Sequence, residues 1–187
     1  MNFANKISTF RILTVPFFFG CLAYYSGQRE YLRLVALGIF ILAVISDAVD
    51  GYIARKNNQQ SKAGLMLDPL GDKLLLMTAF ISLTFLPNFP LRFPLWVALV
   101  VISRDLIILM GAVLIFIIKQ NLAVFPSRWG KLTTIFQMAA VIVVLLQFKY
   151  SFIFWWPAVI FTVISGFGYI RRGFIILYAA DNHRNNH

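Results

Sequence analysis

The chain holds 17 Lys and Arg but only 7 Asp and Glu. Four of those acids, Asp47, Asp50, Asp68 and Asp72, crowd between positions 47 and 72, leaving Glu30, Asp105 and Asp181 for the rest of the sequence. Their spacing is helical. Asp47, Asp50, Gly51, Ala54 and Arg55 fall on one helix face, and Gly64, Asp68 and Asp72 fall on another a few residues later. Four carboxylates brought together near a membrane repel one another and are costly to desolvate, so they need cations. An all-oxygen set without His or Cys suits magnesium, manganese or calcium. Two such ions beside a phosphate can stabilise both the entering and the departing oxygen of a phosphoryl-type transfer. Arg55 is placed to hold a phosphate oxygen, and the small residues beside it allow close approach to the backbone. Two other readings stay open on the residues alone. The aspartates can lock helices by pairing with Arg55, Lys73 and Arg104, or they can form the ion site of a membrane cation carrier. Carrier sites lie near the bilayer midplane at broken helices, whereas these acids sit at one mouth, next to glycines.

The elements that must hold these residues are apolar. Hydrophobic residues make up 60% of the 187, against roughly half in a soluble domain, and the mean hydropathy is +0.78. At about 20 residues per crossing, the chain has room for roughly six spans and no separate soluble domain. The stretches run at about Ile12–Tyr25, Tyr31–Ala54, Gly64 to just before Pro87, Phe93–Ile118, Gly130–Phe148 and Phe152–Tyr169. An amino-terminal segment, 1–11, is expected at the interface, and 178–187 is expected as a polar tail of a single domain covering 1–187. Lys6, Arg11, Arg55, Lys56, Lys62, Lys119, Arg128, Lys131, Arg171, Arg172 and Arg184 fall on one side, and only Arg29, Arg33, Arg92 and Lys149 on the other. That asymmetry puts both termini in the cytoplasm. Trp96, Trp129, Trp155 and Trp156 sit near span ends, as interfacial anchors do. The net charge of +10 then reads as attraction to anionic lipid and not to nucleic acid. Cys21 is the only cysteine, which excludes an intrachain disulfide and a Cys metal cluster; it belongs to the first span and not to a cleaved signal. His183 and His187 are solvated in the tail.

Read together, the stretch is D-x2-D-G-x2-A-R-x8-G-x3-D-x3-D. It resembles, at every fixed position, the signature of the CDP-alcohol phosphatidyltransferase family. Asn5, Arg11 and Pro16 are similar to the family's amino-terminal pattern. The resemblance implies an all-α integral membrane fold of six transmembrane helices, multi-pass in the cell's inner membrane. It further implies a homodimer whose polar cavities open to the cytoplasm and to lipid. It implies two divalent cations, Mg2+ or Mn2+, on Asp47, Asp50, Asp68 and Asp72. It puts Asn5, Asp47, Asp50, Gly51, Ala54, Arg55 and Gly64 around the CDP moiety, and makes Asp72 also the general base. The expected donor is CDP-diacylglycerol, with CMP leaving. The tracts Asp68–Lys73 and Gly130–Thr134 resemble the branch that makes phosphatidylglycerophosphate or cardiolipin. Glycerol 3-phosphate, the first acceptor, needs fixed cations for its phosphate, for which Arg104, Arg128 and Lys131 are candidates. Phosphatidylglycerol is the alternative, favoured by Arg104-Asp105 where phosphatidylglycerophosphate synthases tend to have Arg-Glu. Inositol phosphate, serine and choline rank below both.

Overall fold

In a computed structural model, the described backbone covers residues 3–57, 62–119 and 128–184, and the described side chains cover 12–46, 71, 73–111, 129–169 and 171. The described residues form six helices and no strand: α1 (Phe3–Ala23), α2 (Tyr31–Asn57), α3 (Lys62–Phe85), α4 (Leu95–Lys119), α5 (Arg128–Leu145) and α6 (Phe152–Arg184). Each apolar stretch read from the sequence corresponds to one of them, with ends that differ by a few residues. α1 packs chiefly on α3 and α2, α6 on α5 and α4, and α3 and α2 also reach α5.

The core is a set of stripes at helical spacing. Ala36, Phe40 and Ala43 of α2, Leu75, Leu76, Ala79, Phe80 and Leu83 of α3, and Phe18 and Leu22 of α1 belong to one buried cluster, in which α1 packs on both α2 and α3. Each buried large side chain of this kind contributes about 1.5–3 kcal/mol where water is the alternative. The opposite faces are apolar too: Phe17, Leu42, Met110 and Phe167 are all exposed. Aliphatic and aromatic residues thus lie on both faces of these helices, one face in the core and the other outside it. One described stretch, Phe152–Tyr169 of α6, is long and apolar enough to cross a membrane by length and composition, and only 22% of it is buried inside the chain. Ile12–Ala23, Tyr31–Ser46, Lys73–Phe85 and Trp129–Leu145 are shorter apolar helical stretches.

The helix ends differ from the apolar boundaries for local reasons. α1 stops at Ala23, where Tyr25 turns away to stack on Phe89 at 4.3 Å and to take Asn88 Nδ2 on its carbonyl at 2.9 Å. α4 starts at Leu95 because Pro94 caps it: the Pro94 carbonyl accepts from the amides of Val97 and Ala98. α5 ends in a Schellman turn, with Phe148 N–H on Val143 O and Gln147 N–H on Val144 O. Gln147 occupies its left-handed position at φ 57°. α6 runs on to Arg184, so the first part of the expected polar tail is helical, and α1 takes in the polar start from Phe3.

Candidate active site

Both halves of the aspartate signature lie on helices. Positions 47, 50, 51, 54 and 55 fall in the last turns of α2, and positions 64, 68 and 72 in the first turns of α3. The one-face spacing needs helix at both places, and helix is present. The side chains of Asp47, Asp50, Gly51, Ala54, Arg55, Gly64, Asp68 and Asp72, and that of Asn5, lie outside the described residues. The donor set suits divalent cations on its chemistry: four carboxylates, supplied in pairs by consecutive helices, with no soft ligand among them.

Immediately after Asp72 the structure builds a buried charge cluster. Lys73 Nζ donates to Asp105 Oδ1 at 2.7 Å, and Arg104 NH1 donates to the same oxygen at 2.6 Å. Arg104 NH2 donates to Ser165 Oγ at 2.7 Å, and its guanidinium carbon lies 5.9 Å from the Tyr169 ring centre. One carboxylate oxygen thus ties α3 to α4, and the guanidinium carries the tie to α6. Asp105 is fully buried and the Arg104 side chain is 6% exposed, while Lys73 keeps 14% of its side-chain surface. Charges this far from water persist only when opposite charges and hydrogen bonds compensate them. Asp105 Oδ2 and Arg104 Nε have no hydrogen-bond partner among the described residues.

Arg104 and Asp105 are inside because of their register. Val97, Val101, Arg104 and Asp105 continue a single buried stripe of α4. The same change from apolar to polar occurs on α5 and α6, where Thr133, Gln137, Thr162 and Ser165 are all buried. Gln137 Nε2 donates to Thr162 Oγ1 at 3.1 Å, and Thr162 donates back to Ala158 O at 2.6 Å. The Thr133 hydroxyl lies 2.9 Å from the carbonyl oxygens of both Trp129 and Phe161, so it bridges α5 to α6. Buried polar pairs therefore tie α3 to α4, α4 to α6 and α5 to α6, and together they form a polar layer.

Of the three cations expected to meet the acceptor, Arg104 sits in this layer. Lys131 is exposed in the first turn of α5, and the Arg128 side chain lies outside the described residues. Arg104 takes Asp105 as an acidic partner. Asp105, Lys73 and Ser165 were not among the expected site residues. Their signal was present but weak: Asp105 continues the Val97–Val101 spacing, and Thr162, Ser165 and Tyr169 recur on one face of α6.

Comparisons with known proteins agree with the signature. A family model described as CDP-alcohol phosphatidyltransferase matches residues 1–164. The chain is 33% identical over 197 residues to the CDP-diacylglycerol–glycerol-3-phosphate 3-phosphatidyltransferase of Bacillus subtilis (strain 168), covering 96% of this chain and 99% of that protein. It is 31% identical over 177 residues to a probable phosphatidylglycerophosphate synthase of Mycobacterium tuberculosis (strain ATCC 25618 / H37Rv), covering 91% of this chain and 81% of that protein. A protein of Aquifex aeolicus (strain VF5) with the same name as the Bacillus protein is 34% identical over 136 residues, 73% of this chain and 71% of its own.

Proposed function

The chain belongs to the CDP-alcohol phosphatidyltransferase family, and from that premise we propose that it transfers the phosphatidyl group of CDP-diacylglycerol to glycerol 3-phosphate, releasing CMP. The observation that carries the reaction class is the complete eight-position signature lying on α2 and α3. The acceptor rests on relatives, matched along most of their length, that are named for glycerol 3-phosphate or for phosphatidylglycerophosphate. Arg104, fixed in the buried layer one helix away from Asp72, adds support.

In this reading Asp47, Asp50, Asp68 and Asp72 hold two divalent cations, Mg2+ or Mn2+, which when bound offset the charge of the pyrophosphate and of the departing CMP. Gly51, Ala54 and Gly64 admit the nucleotide, with Asn5 beside it, and Arg55 meets the pyrophosphate. Asp72 takes the proton from the acceptor hydroxyl. The freed oxygen attacks the lipid-side phosphorus, forming the new ester bond as the bond from that phosphorus to the CMP oxygen breaks. Arg104 holds the acceptor's phosphate, helped by Arg128 and Lys131 at the cytoplasmic start of α5. Positioning and fixed charge supply the catalysis. The helices form six spans with both termini and the site facing the cytoplasm, multi-pass in the inner membrane, and the working unit is a homodimer.

The test is CMP release by the purified protein with CDP-diacylglycerol and magnesium, run with each acceptor in turn and with the lipid product identified. Phosphatidylglycerophosphate formed from glycerol 3-phosphate supports the proposal. Cardiolipin formed from phosphatidylglycerol, with glycerol 3-phosphate inert, moves the assignment to the second acceptor.

A further inference from the structure

We propose that Asp105 is a positioning residue for the acceptor half of the site, fixing the two cations Lys73 and Arg104 through one carboxylate oxygen. The inference rests on the reading above, in which an anionic acceptor meets Arg104. Asp105 Oδ1 receives Lys73 Nζ at 2.7 Å and Arg104 NH1 at 2.6 Å. Lys73 directly follows Asp72 on α3, and Arg104 reaches Ser165 of α6 through its other terminal nitrogen at 2.7 Å. Held at both NH1 and NH2, the guanidinium plane cannot turn, and its packing over Tyr169 limits it further. The Nε edge has no hydrogen-bond partner among the described residues, although only 6% of the side chain is exposed. A buried N–H is costly while unpaired, so it is a donor that a bound anion would satisfy.

Physical necessity makes Asp105 the centre of this device. Lys73 and Arg104 converge to within hydrogen-bond distance of a single atom, and without an anion between them they repel in a low-dielectric setting. Asn at 105 offers one neutral oxygen for two cations and turns an amide N–H₂ toward them. Arg104 then loses its fixed plane while the helix still packs. Glu at 105 keeps the charge on a longer arm and can still meet both cations.

Steady-state kinetics of the purified full-length protein separate positioning from mere packing. Asp105→Asn is expected to raise the KM for glycerol 3-phosphate about ten- to a hundredfold, the size of a lost charge-assisted hydrogen bond. The KM for CDP-diacylglycerol should stay within about threefold of wild type, because those contacts belong to α2 and the start of α3. Asp105→Glu should recover most of the acceptor KM. A residue that only holds helices together would lower kcat and the melting temperature and leave the acceptor KM unchanged, and that result overturns the proposal. If Asp105→Asn does not accumulate, Ser165→Ala reads the same property by freeing Arg104 NH2. A rise of roughly threefold or more in acceptor KM supports the proposal, and an unchanged value overturns it. Wild type in the same assay tests the underlying reading separately. Should it use phosphatidylglycerol instead, the acceptor assignment fails, and the KM ratios are measured on that anionic acceptor. A raised KM there still supports the positioning role of Asp105, and an unchanged one still overturns it.

Discussion

At the scale of single residues, the proposed chemistry depends on carboxylates with different duties. Asp72 is both a metal ligand and the base in the proposed reaction, so Asp72→Asn should lower CMP release by at least about 10²-fold, the usual worth of a positioned base. The check is an initial-rate assay at saturating CDP-diacylglycerol; activity within tenfold of wild type would remove Asp72 from the reaction. Asp105 has a structural share as well as a positioning one. Asp105→Ala leaves the buried Arg104 without the oxygen it shares with the partly exposed Lys73, which should destabilise the fold by about 3–5 kcal/mol. Thermal unfolding in detergent measures this, and a melting temperature equal to wild type would show that the buried charges find other compensation. The aspartate signature could be read from the sequence because its partners lie within 26 positions and obey one helical period (47 to 72). The Asp105 cluster could not be read to the same degree. Neighbouring residues on a helix point about 100° apart, so Arg104 and Asp105 meet only because the long arginine side chain folds back. The third member, Lys73, is 32 positions away, and only the packing of α3 on α4 brings it in.

At the scale of elements, the six helices were legible because each is a long apolar run between charged or Pro-containing turns, and their ends were not. Ends are set by contacts distant in sequence. The turn after α1 is pinned by Asn88 and by Gln147, whose Nε2 reaches the Tyr25 hydroxyl at 3.2 Å. Gln147 makes that contact from a left-handed backbone that favours glycine. Gln147→Gly relieves the backbone as it loses the hydrogen bond, whereas Gln147→Ala loses the bond and keeps the strain. The glycine variant should therefore be the more stable of the two by about 1 kcal/mol. Parallel melting curves decide this, and equal stabilities would contradict the αL assignment. Between α5 and α6, Gln137 and Thr162 form a buried hydrogen bond in which Gln137 Oε1 has no partner among the described residues. A double-mutant cycle of Gln137→Leu and Thr162→Val should give a coupling of about 0.5–1.5 kcal/mol. A value of zero would mean that the pair contributes no specific tie.

At the scale of the whole molecule, the charge asymmetry along the chain and the exposed apolar faces of α1, α2, α4 and α6 fit a bundle embedded in lipid with its polar layer toward one end. Reporters fused at the two termini should both be cytoplasmic, and a terminus on the opposite side would break the six-span reading. Removal of divalent cations by a chelator should abolish CMP release, with magnesium or manganese restoring it; full activity in the chelator would exclude the metal role of the four aspartates. A cation carrier built from the same acids would move metal without consuming CDP-diacylglycerol, a behaviour at odds with the family to which the chain belongs. The most direct test of the central claim is therefore the stoichiometry of CMP release in purified protein given CDP-diacylglycerol, magnesium and glycerol 3-phosphate. One CMP for each phosphatidylglycerophosphate formed, and none without the acceptor, is the predicted result. CMP release that is absent, or that proceeds equally well with no alcohol acceptor present, would contradict it.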